Sequence, residues 1–251
     1  MTITISIFFF LYGLLFGSFF NVVGLRIPKK QSIVSPPSTC SNCKRRLTIL
    51  DLVPVFSYIF LKGKCRSCGQ KIHWIYPVIE LSTGILFSIA YLELGFSKEL
   101  IVALLFISML VIITVSDLAY MLIPDKILIF FGVLLICSRI LSPLNPWWES
   151  VVGAFLGFSI LLLIAILSKG GMGGGDIKLF FVIGWVLGMI PTLLTLFVAA
   201  FIGMIAGFIQ LKIKRADKKT PVPFGPSIAA AALIVYFYGD GILEWYTNLF
   251  I

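Results

Sequence analysis

The sequence predicts an all-α integral membrane protein with about eight transmembrane helices. Of its 251 residues, 59% are hydrophobic and only 12% are charged, whereas a soluble domain carries roughly a quarter charged residues. Apolar runs of about 20 residues recur along the chain, which is the length that crosses a bilayer as a helix. The net charge of +9 does not indicate nucleic-acid binding, because the basic residues lie mostly in a few loops, as membrane topology requires.

The first apolar run covers residues 2–23 and is predicted to remain as a membrane anchor. It is too long for the apolar core of a signal peptide, and no basic residue precedes it. Arg26, Lys29 and Lys30 follow it, which places the N-terminus outside and the basic side in the cytoplasm. Asn21, near the inner end, is expected to form a helix–helix hydrogen bond rather than to bind a ligand.

Residues 24–75 form the one long polar stretch, and ten of the twenty Lys and Arg residues lie in it. This bias predicts a cytoplasmic loop between the first and second helices. The loop contains two C-x-x-C pairs, Cys40 with Cys43 and Cys65 with Cys68.

The 22 positions from Cys43 to Cys65 are typical of a zinc site built from two knuckles, and Gly69 suits the tight turn of the second one. Four thiolates would fill the zinc coordination shell, so this zinc is predicted to be structural. Two disulfides are the alternative, and a reducing cytoplasm disfavours them.

Seven further apolar runs complete the predicted eight crossings. They cover residues 76–94, 100–116, 126–141, 150–167, 180–190, 192–211 and 226–238. With an outward N-terminus, eighteen of the twenty Lys and Arg residues fall on the cytoplasmic side, and Lys98 and Arg139 do not. Residues 212–219 form a basic cytoplasmic loop. The run 180–190 is the weakest, at about half the usual spanning length.

Three carboxylates near the cytoplasmic ends of these helices need an explanation, because charge in a membrane is costly. Glu80 lies about one turn inside the second helix, where it either bonds to the basic loop or binds a ligand. Asp117 lies at the C-terminal end of its helix, where a negative charge opposes the helix dipole. Asp125, beside Pro124, can simply cap the following helix.

The segment K-G-G-M-G-G-G-D-I-K-L, residues 169–179, places Asp176 among five glycines at a membrane boundary. The glycines suggest that another backbone comes close to this carboxylate. A loop whose aspartate caps the next helix is the alternative. If a substrate backbone approaches here, Gly175→Val is expected to abolish activity while membrane insertion stays normal.

Asp117 and Asp176 fall at the same predicted depth, on different helices. Two neighbouring carboxylates cannot easily both ionise, so one of them keeps a proton. The ionised group can take a proton from water while the other donates one to a carbonyl oxygen, which hydrolyses an amide without a nucleophilic side chain. This chemistry suits a chain with a single histidine, His73, in the basic loop.

Five motifs, in order, resemble those of bacterial prepilin peptidases, the type IV leader peptidase and N-methyltransferase family of membrane aspartic proteases. They are G-S-F-F-N-V-V-G-L-R-I-P (17–28), the two cysteine pairs, Y-P-V-I-E-L-S-T-G (76–84), S-D-L-A-Y-M-L-I-P-D (116–125) and G-G-G-D-I-K-L (173–179). The last matches the family's G-x-G-D motif. Together they cover most of the chain up to about residue 179.

The resemblance implies that Asp117 and Asp176 are the two catalytic aspartates. Similar proteins lie in the bacterial plasma membrane, in contact with lipid and not nucleic acid. They remove the basic leader of type IV prepilins or pseudopilins after a glycine, on the cytoplasmic face. Members that retain the cysteine-bearing region also methylate the new N-terminal residue, using S-adenosylmethionine.

On this basis residues 1–75 are expected to form the first helix and the zinc-binding methyltransferase region, and residues 76–251 the peptidase domain. The loop contains no nucleotide-binding glycine fingerprint, so its residue chemistry does not place the methyl-donor site. Two other classes remain open: a transporter or channel whose Asp117 and Asp176 bind a cation, and a membrane-anchored zinc scaffold without chemistry.

Overall fold

The computed structural model describes residues 2–168, 171–214 and 223–250. Lys169 and Gly170 of the glycine-rich segment, and most of the predicted basic loop 212–219, lie outside these ranges. Within them the chain is all-helical, and its only β-type pairings are two isolated bridges in the cysteine loop, Thr39 with Arg46 and Lys64 with Lys71. The predicted all-α class is therefore confirmed.

The helices of the described residues overlap the predicted apolar runs, apart from the short α2, which lies in the predicted polar stretch 24–75. They are α1 (Thr2–Arg26), α2 (Phe56–Phe60), α3 (Ile75–Leu94), α4 (Lys98–Tyr120), α5 (Asp125–Leu141), α6 (Glu149–Leu167), α7 (Gly174–Leu187), α8 (Met189–Lys214) and α9 (Gly225–Phe250). Among the described residues, six helices are long and apolar enough to span a membrane, namely α1, α3, α4, α6, α8 and α9. The chain is thus a multi-pass membrane protein. Eight crossings, which would include the shorter α5 and α7, remain a prediction.

The chain divides into two compact units, Met1–Val115 and Ser116–Ile251. In the first unit, α1 packs along α3 through small residues. A Cβ atom on Gly13 would lie 2.8 Å from Gly84 Cα, and one on Gly17 would lie 2.8 Å from Glu80 Cα. Asn21 is buried and its amide nitrogen donates to the Tyr76 carbonyl of α3 at 3.3 Å, as the sequence predicted. Glycines therefore allow the close approach that membrane helices use.

In the second unit, α6 packs against α7 in the same way. Gly153 and Gly184 face each other so closely that neither position has room for a Cβ atom, and a Cβ on Gly157 would lie 2.8 Å from the Phe180 carbonyl oxygen. This contact fixes α7, which carries Asp176 in its first turn.

The helix α7 has 14 residues, which gives it a length of about 21 Å at 1.5 Å per residue. Its C-terminal end is satisfied inside the protein by Arg139, whose Nε and Nη2 donate to the Val186 carbonyl at 3.0 and 2.7 Å. Glu149 accepts a hydrogen bond at 2.9 Å from the backbone N–H of Met189, the first residue of α8. Helix ends leave backbone groups without intrahelical partners, and these two charged side chains satisfy one carbonyl at the end of α7 and one N–H at the start of α8.

Two details differ from the predictions. The helix α9 continues to Phe250, although the apolar run ends at residue 238, because Gly239, Asp240 and Gly241 interrupt the hydropathy but not the helix. Cys137 lies within the apolar run 126–141, which predicts a small buried hydrophobic residue, but it is exposed on the surface of α5.

Candidate active site and metal centre

Asp117 lies in the last turn of α4 and is buried, with 6% of its surface exposed. Its Oδ2 accepts a hydrogen bond at 2.8 Å from the backbone N–H of Gly225, the first residue of α9. A Cβ atom on Gly225 would lie only 2.7 Å from this oxygen. The carboxylate thus rests directly on the backbone at the start of α9, and only glycine fits there without a shift.

Asp176 lies in the first turn of α7, outside the six candidate membrane spans. Its carboxylate accepts a hydrogen bond from the backbone N–H of Gly173, which precedes the helix. Burial and the negative charge of Asp117 raise the pKa of Asp176 to about 6, although the Gly173 hydrogen bond acts in the opposite direction. The structure therefore brings the two predicted aspartates close enough for their charges to interact.

The three glycines before Asp176 have different surroundings. A Cβ atom on Gly175 would lie 2.8 Å from Ile123 Cβ, and one on Gly173 would lie 3.1 Å from Asp176 Oδ2, whereas one on Gly174 would meet nothing within 4 Å. The glycines suggested that another backbone comes close to this segment. At Gly175 the close neighbour is the protein's own segment between α4 and α5. Gly174 is the one of the three beside open space.

Asp125 stands apart from the aspartate pair. It is the first residue of α5, and its two carboxylate oxygens lie 2.8 and 2.9 Å from Lys178 Nζ. Both side chains are more than half exposed, so this ion pair contributes at most about 1 kcal/mol.

Sequence reasoning missed the part that Gly225 plays in this site. Gly225 lies 108 positions from Asp117, and it follows a basic loop that carries no catalytic motif. The dipeptide Gly225-Pro226 marks a helix start, but nothing in the sequence connects that start with α4.

The four predicted metal ligands come together in the first unit. The Sγ atoms of Cys40, Cys43, Cys65 and Cys68 all lie within 4.8 Å of one another, and those of Cys40 and Cys68 are 3.8 Å apart. Four sulfurs at about 2.3 Å from a tetrahedral zinc ion are about 3.8 Å apart. All four are free thiols, so the cluster has the donor type, number and spacing of a structural zinc site and not of two disulfides.

The two cysteine pairs share one local fold. The Cys40 N–H donates to the Arg45 carbonyl at 2.9 Å, and the Cys65 N–H donates to the Gln70 carbonyl at 2.8 Å. The residue after the second cysteine is left-handed in both, Lys44 with φ +56° and Gly69 with φ +69°. The turn predicted at Gly69 is confirmed, and Lys44 adopts the same turn without the conformational freedom of glycine.

Asp51 connects the two knuckles. Its carboxylate lies 3.0 Å from Arg45 of the first and 3.0 Å from Arg66 of the second. Hydrogen bonds from the Thr48 backbone and hydroxyl, together with the charges of the two arginines, lower the pKa of Asp51. An ionised Asp51 therefore holds the cysteine pairs in register.

Comparisons with known proteins agree with this arrangement. Residues 11–94 match the family model for the bacterial peptidase A24 N-terminal domain, and residues 104–208 match the type IV leader peptidase family. The chain is 45% identical over 240 residues to a prepilin leader peptidase/N-methyltransferase of Bacillus subtilis (strain 168), covering 96% of this chain and 97% of that protein.

A protein of the same name from Pseudomonas aeruginosa is 32% identical, over 94% of this chain and 91% of that protein. Another from Aeromonas salmonicida is 30% identical, over 95% of this chain and 92% of that protein. No solved structure matches the chain. Family models match both the cysteine loop and the aspartate pair, and the relatives are matched over almost their whole length. The chain therefore belongs to the type IV leader peptidase family.

Proposed function

We propose that the protein is a prepilin leader peptidase and N-methyltransferase of the bacterial plasma membrane. It removes the basic leader of a type IV prepilin or pseudopilin after a glycine, at the cytoplasmic face, and then methylates the new N-terminal amine with S-adenosylmethionine. Support for this comes from the family, from the relatives' names and from the concentration of basic residues in the cysteine loop.

The observation that carries the peptidase half is the interaction between Asp117 and Asp176, on α4 and α7. Each carboxylate also accepts one backbone N–H, from Gly225 and Gly173 respectively. These bonds hold both groups in place but leave their remaining oxygens available for water and substrate. A pair of this kind holds one proton below about pH 6, because the pKa of Asp176 is raised to about 6.

Hydrolysis by the pair proceeds in two steps. The ionised aspartate takes a proton from a water molecule, whose oxygen attacks the scissile carbonyl carbon while the protonated aspartate donates to the carbonyl oxygen. The resulting tetrahedral diol collapses, the C–N bond breaks, and the nitrogen leaves as an amine after receiving a proton. The leader departs with a C-terminal carboxyl group. The two aspartates titrate as a pair, so neither is assigned permanently as acid or base.

Zinc fits the four-cysteine cluster and would hold the two knuckles of the cytoplasmic loop together. S-adenosylmethionine supplies the methyl group, and the amine freed by cleavage accepts it. The prepilin's apolar helix would lie in the bilayer, with its cleavage point level with the aspartates. The open space beside Gly174 would let an extended backbone reach Asp176.

Leader cleavage by purified protein in detergent tests the proposal. A prepilin-like peptide with a basic leader ending in glycine is incubated with the protein, zinc and S-adenosylmethionine, and mass spectrometry reports the cut and the added methyl group. We expect Asp117→Asn and Asp176→Asn each to abolish cleavage, and Asp240→Asn, an exposed carboxylate on α9, to retain it. Cleavage that survives either dyad substitution would overturn the mechanism and favour the transporter alternative, which ion-flux measurements on the same variants would then test.

A further inference from the structure

Glu80 is a half-buried carboxylate in the second turn of α3, and no described residue forms an ion pair with it. Its Oε2 accepts a hydrogen bond at 2.8 Å from the backbone N–H of Val55, and the Ser18 hydroxyl is a second partner. The hydrogen bond to the loop is one of the two predicted alternatives for this residue. It leaves the negative charge of Glu80 without a cation, which is costly at this depth.

The loop that contacts Glu80 is held in a rare conformation. Val55 has φ +63° and ψ −51°, and the Phe56 N–H donates to the Pro54 carbonyl at 2.6 Å, which together define a strained γ-turn. A positive φ is particularly unfavourable for a β-branched residue. Such a turn persists only where its surroundings hold it, and here the bond from the Val55 N–H to Glu80 does so. This hydrogen bond therefore fixes the position of the loop relative to α3.

A cavity of about 510 Å³ lies between this loop, the cysteine knuckles and the cytoplasmic ends of α1 and α3. Its volume falls within the range of about 300–1,000 Å³ that is usual for small-molecule sites. Aromatic, amide, carboxylate, thiol and basic groups all line it. Its walls include Asn21, Cys40, Tyr58, Cys65, Tyr76 and Glu80.

Two carboxylates line the cavity, and they differ in what they can still bind. Asp51 is already paired with Arg45 and Arg66, and its side chain is 5% exposed. Glu80 has no such partner. A ligand that enters the cavity therefore meets one carboxylate without an ion-pair partner, beside the basic side chains of Arg26 and Lys71. A ligand that carries both a cationic group and a carboxylate, as an amino acid does, would complete the site.

We propose that this cavity binds S-adenosylmethionine, with Glu80 facing its positive charge. The assignment rests on the methyltransferase activity proposed above, and it deepens that proposal by giving the donor a site. S-adenosylmethionine carries a sulfonium and an ammonium group, which suit the carboxylate, and an adenine ring, which suits the tyrosines.

In the reaction, the nitrogen of the neutral N-terminal amine forms a bond to the methyl carbon as the S–C bond breaks. The electron pair of that bond stays on sulfur, so the sulfonium becomes a neutral thioether. The methylated nitrogen then releases its extra proton to water. Glu80 acts here as a binding residue for the donor and takes no part in bond making.

Equilibrium binding of S-adenosylmethionine to the full-length, zinc-loaded protein in detergent tests the site. Glu80→Gln removes the charge but keeps an oxygen that can accept the Val55 N–H. We expect this variant to bind the donor at least about tenfold more weakly, which is the effect of losing one favourable charge interaction, while leader cleavage is retained. Glu93→Gln is the matched control, because Glu93 lies on the same helix, is exposed and does not line the cavity. Donor binding by Glu80→Gln equal to the wild type would overturn the assignment.

Photochemical cross-linking of labelled S-adenosylmethionine to the wild-type protein gives a second readout that needs no variant. We expect the labelled peptides to come from residues 18–26, 38–52 or 57–80, and labelling confined to residues 116–251 would overturn the site. The two proposals can fail separately. Wild-type protein that neither binds the donor nor methylates a cleaved prepilin would contradict the methyltransferase function itself, whereas unaltered binding by Glu80→Gln in an active enzyme would contradict only the location.

Discussion

Substitution of Asp176 by asparagine is expected to stabilise the protein at neutral pH while removing its activity. The pKa of Asp176 is raised from 3.8 to about 6, by burial first and then by the charge of Asp117. A shift of about two units corresponds to about 3 kcal/mol at 1.36 kcal/mol per unit, and the partial exposure of the side chain reduces this to roughly 1–2 kcal/mol. Asparagine has the same shape and can still accept the Gly173 N–H, so it loses the charge without leaving a donor unpaired.

The sign of the pH dependence follows from the raised pKa. The unfolded chain releases the Asp176 proton near pH 3.8, whereas the folded protein holds it up to about pH 6. The stabilising contribution is therefore fully present below pH 3.8, decreases as pH rises through about 6, and is absent above that. We expect the wild type to lose stability across this window relative to Asp176→Asn.

Thermal unfolding in detergent, measured at several pH values between about 4 and 8, provides the assay. A difference of 1–2 kcal/mol corresponds to a shift of roughly 2–8 °C in Tm for a chain of this size. Asp117→Asn should lower the pKa of Asp176 without returning it to 3.8, because burial is the larger cause. Asp240→Asn is the control for removal of a charge. Identical pH profiles for the wild type and Asp176→Asn would refute the reasoning.

Three further predictions concern the surroundings of the pair and the metal. Gly225→Ala places a methyl group 2.7 Å from the Asp117 carboxylate. We expect it to lower cleavage by about 100-fold with normal membrane insertion. Gly241→Ala is the control, because Gly241 faces open space on the same helix, and it should retain cleavage. Arg139→Met removes the donors that cap α7 and should lower the free energy of unfolding by about 2–3 kcal/mol, seen as a lower Tm. Cys68→Ser removes one of four zinc ligands, so metal analysis should show less than one zinc per chain, with methylation reduced more than cleavage.

The helices and the aspartate pair were predictable because membrane topology limits where each residue can lie. Apolar runs predict the helices and the basic loops predict their direction, so the predicted topology places Asp117 and Asp176 on one side of the membrane. The C-x-x-C pairs likewise predicted a cluster, since four thiols in one basic loop have few other uses.

Contacts between distant helices were not predictable in the same way. The small-residue spacing of Gly153 and Gly157 is a signal for close helix packing, but it does not say that the partner is Gly184 of α7. Two further contacts depend on which helices become neighbours. Arg139 caps a carbonyl of another helix, and the backbone N–H of Gly225 donates to Asp117. Hydropathy has no information about that choice, because lipid-facing and helix-facing positions are equally apolar.

The hydrogen-bond partners of the two aspartates also separate the peptidase from the cation-transporter alternative. Asp117 receives its N–H from the start of α9, and Asp176 receives its N–H just before the start of α7. Helix N-termini carry partial positive charge and favour anions. A hard cation requires several oxygen ligands, and N–H donors directed at both carboxylates oppose its binding. The same donors fix the carboxylates for proton exchange with water and a carbonyl group, so the electrostatics of the pair favour amide hydrolysis over cation binding.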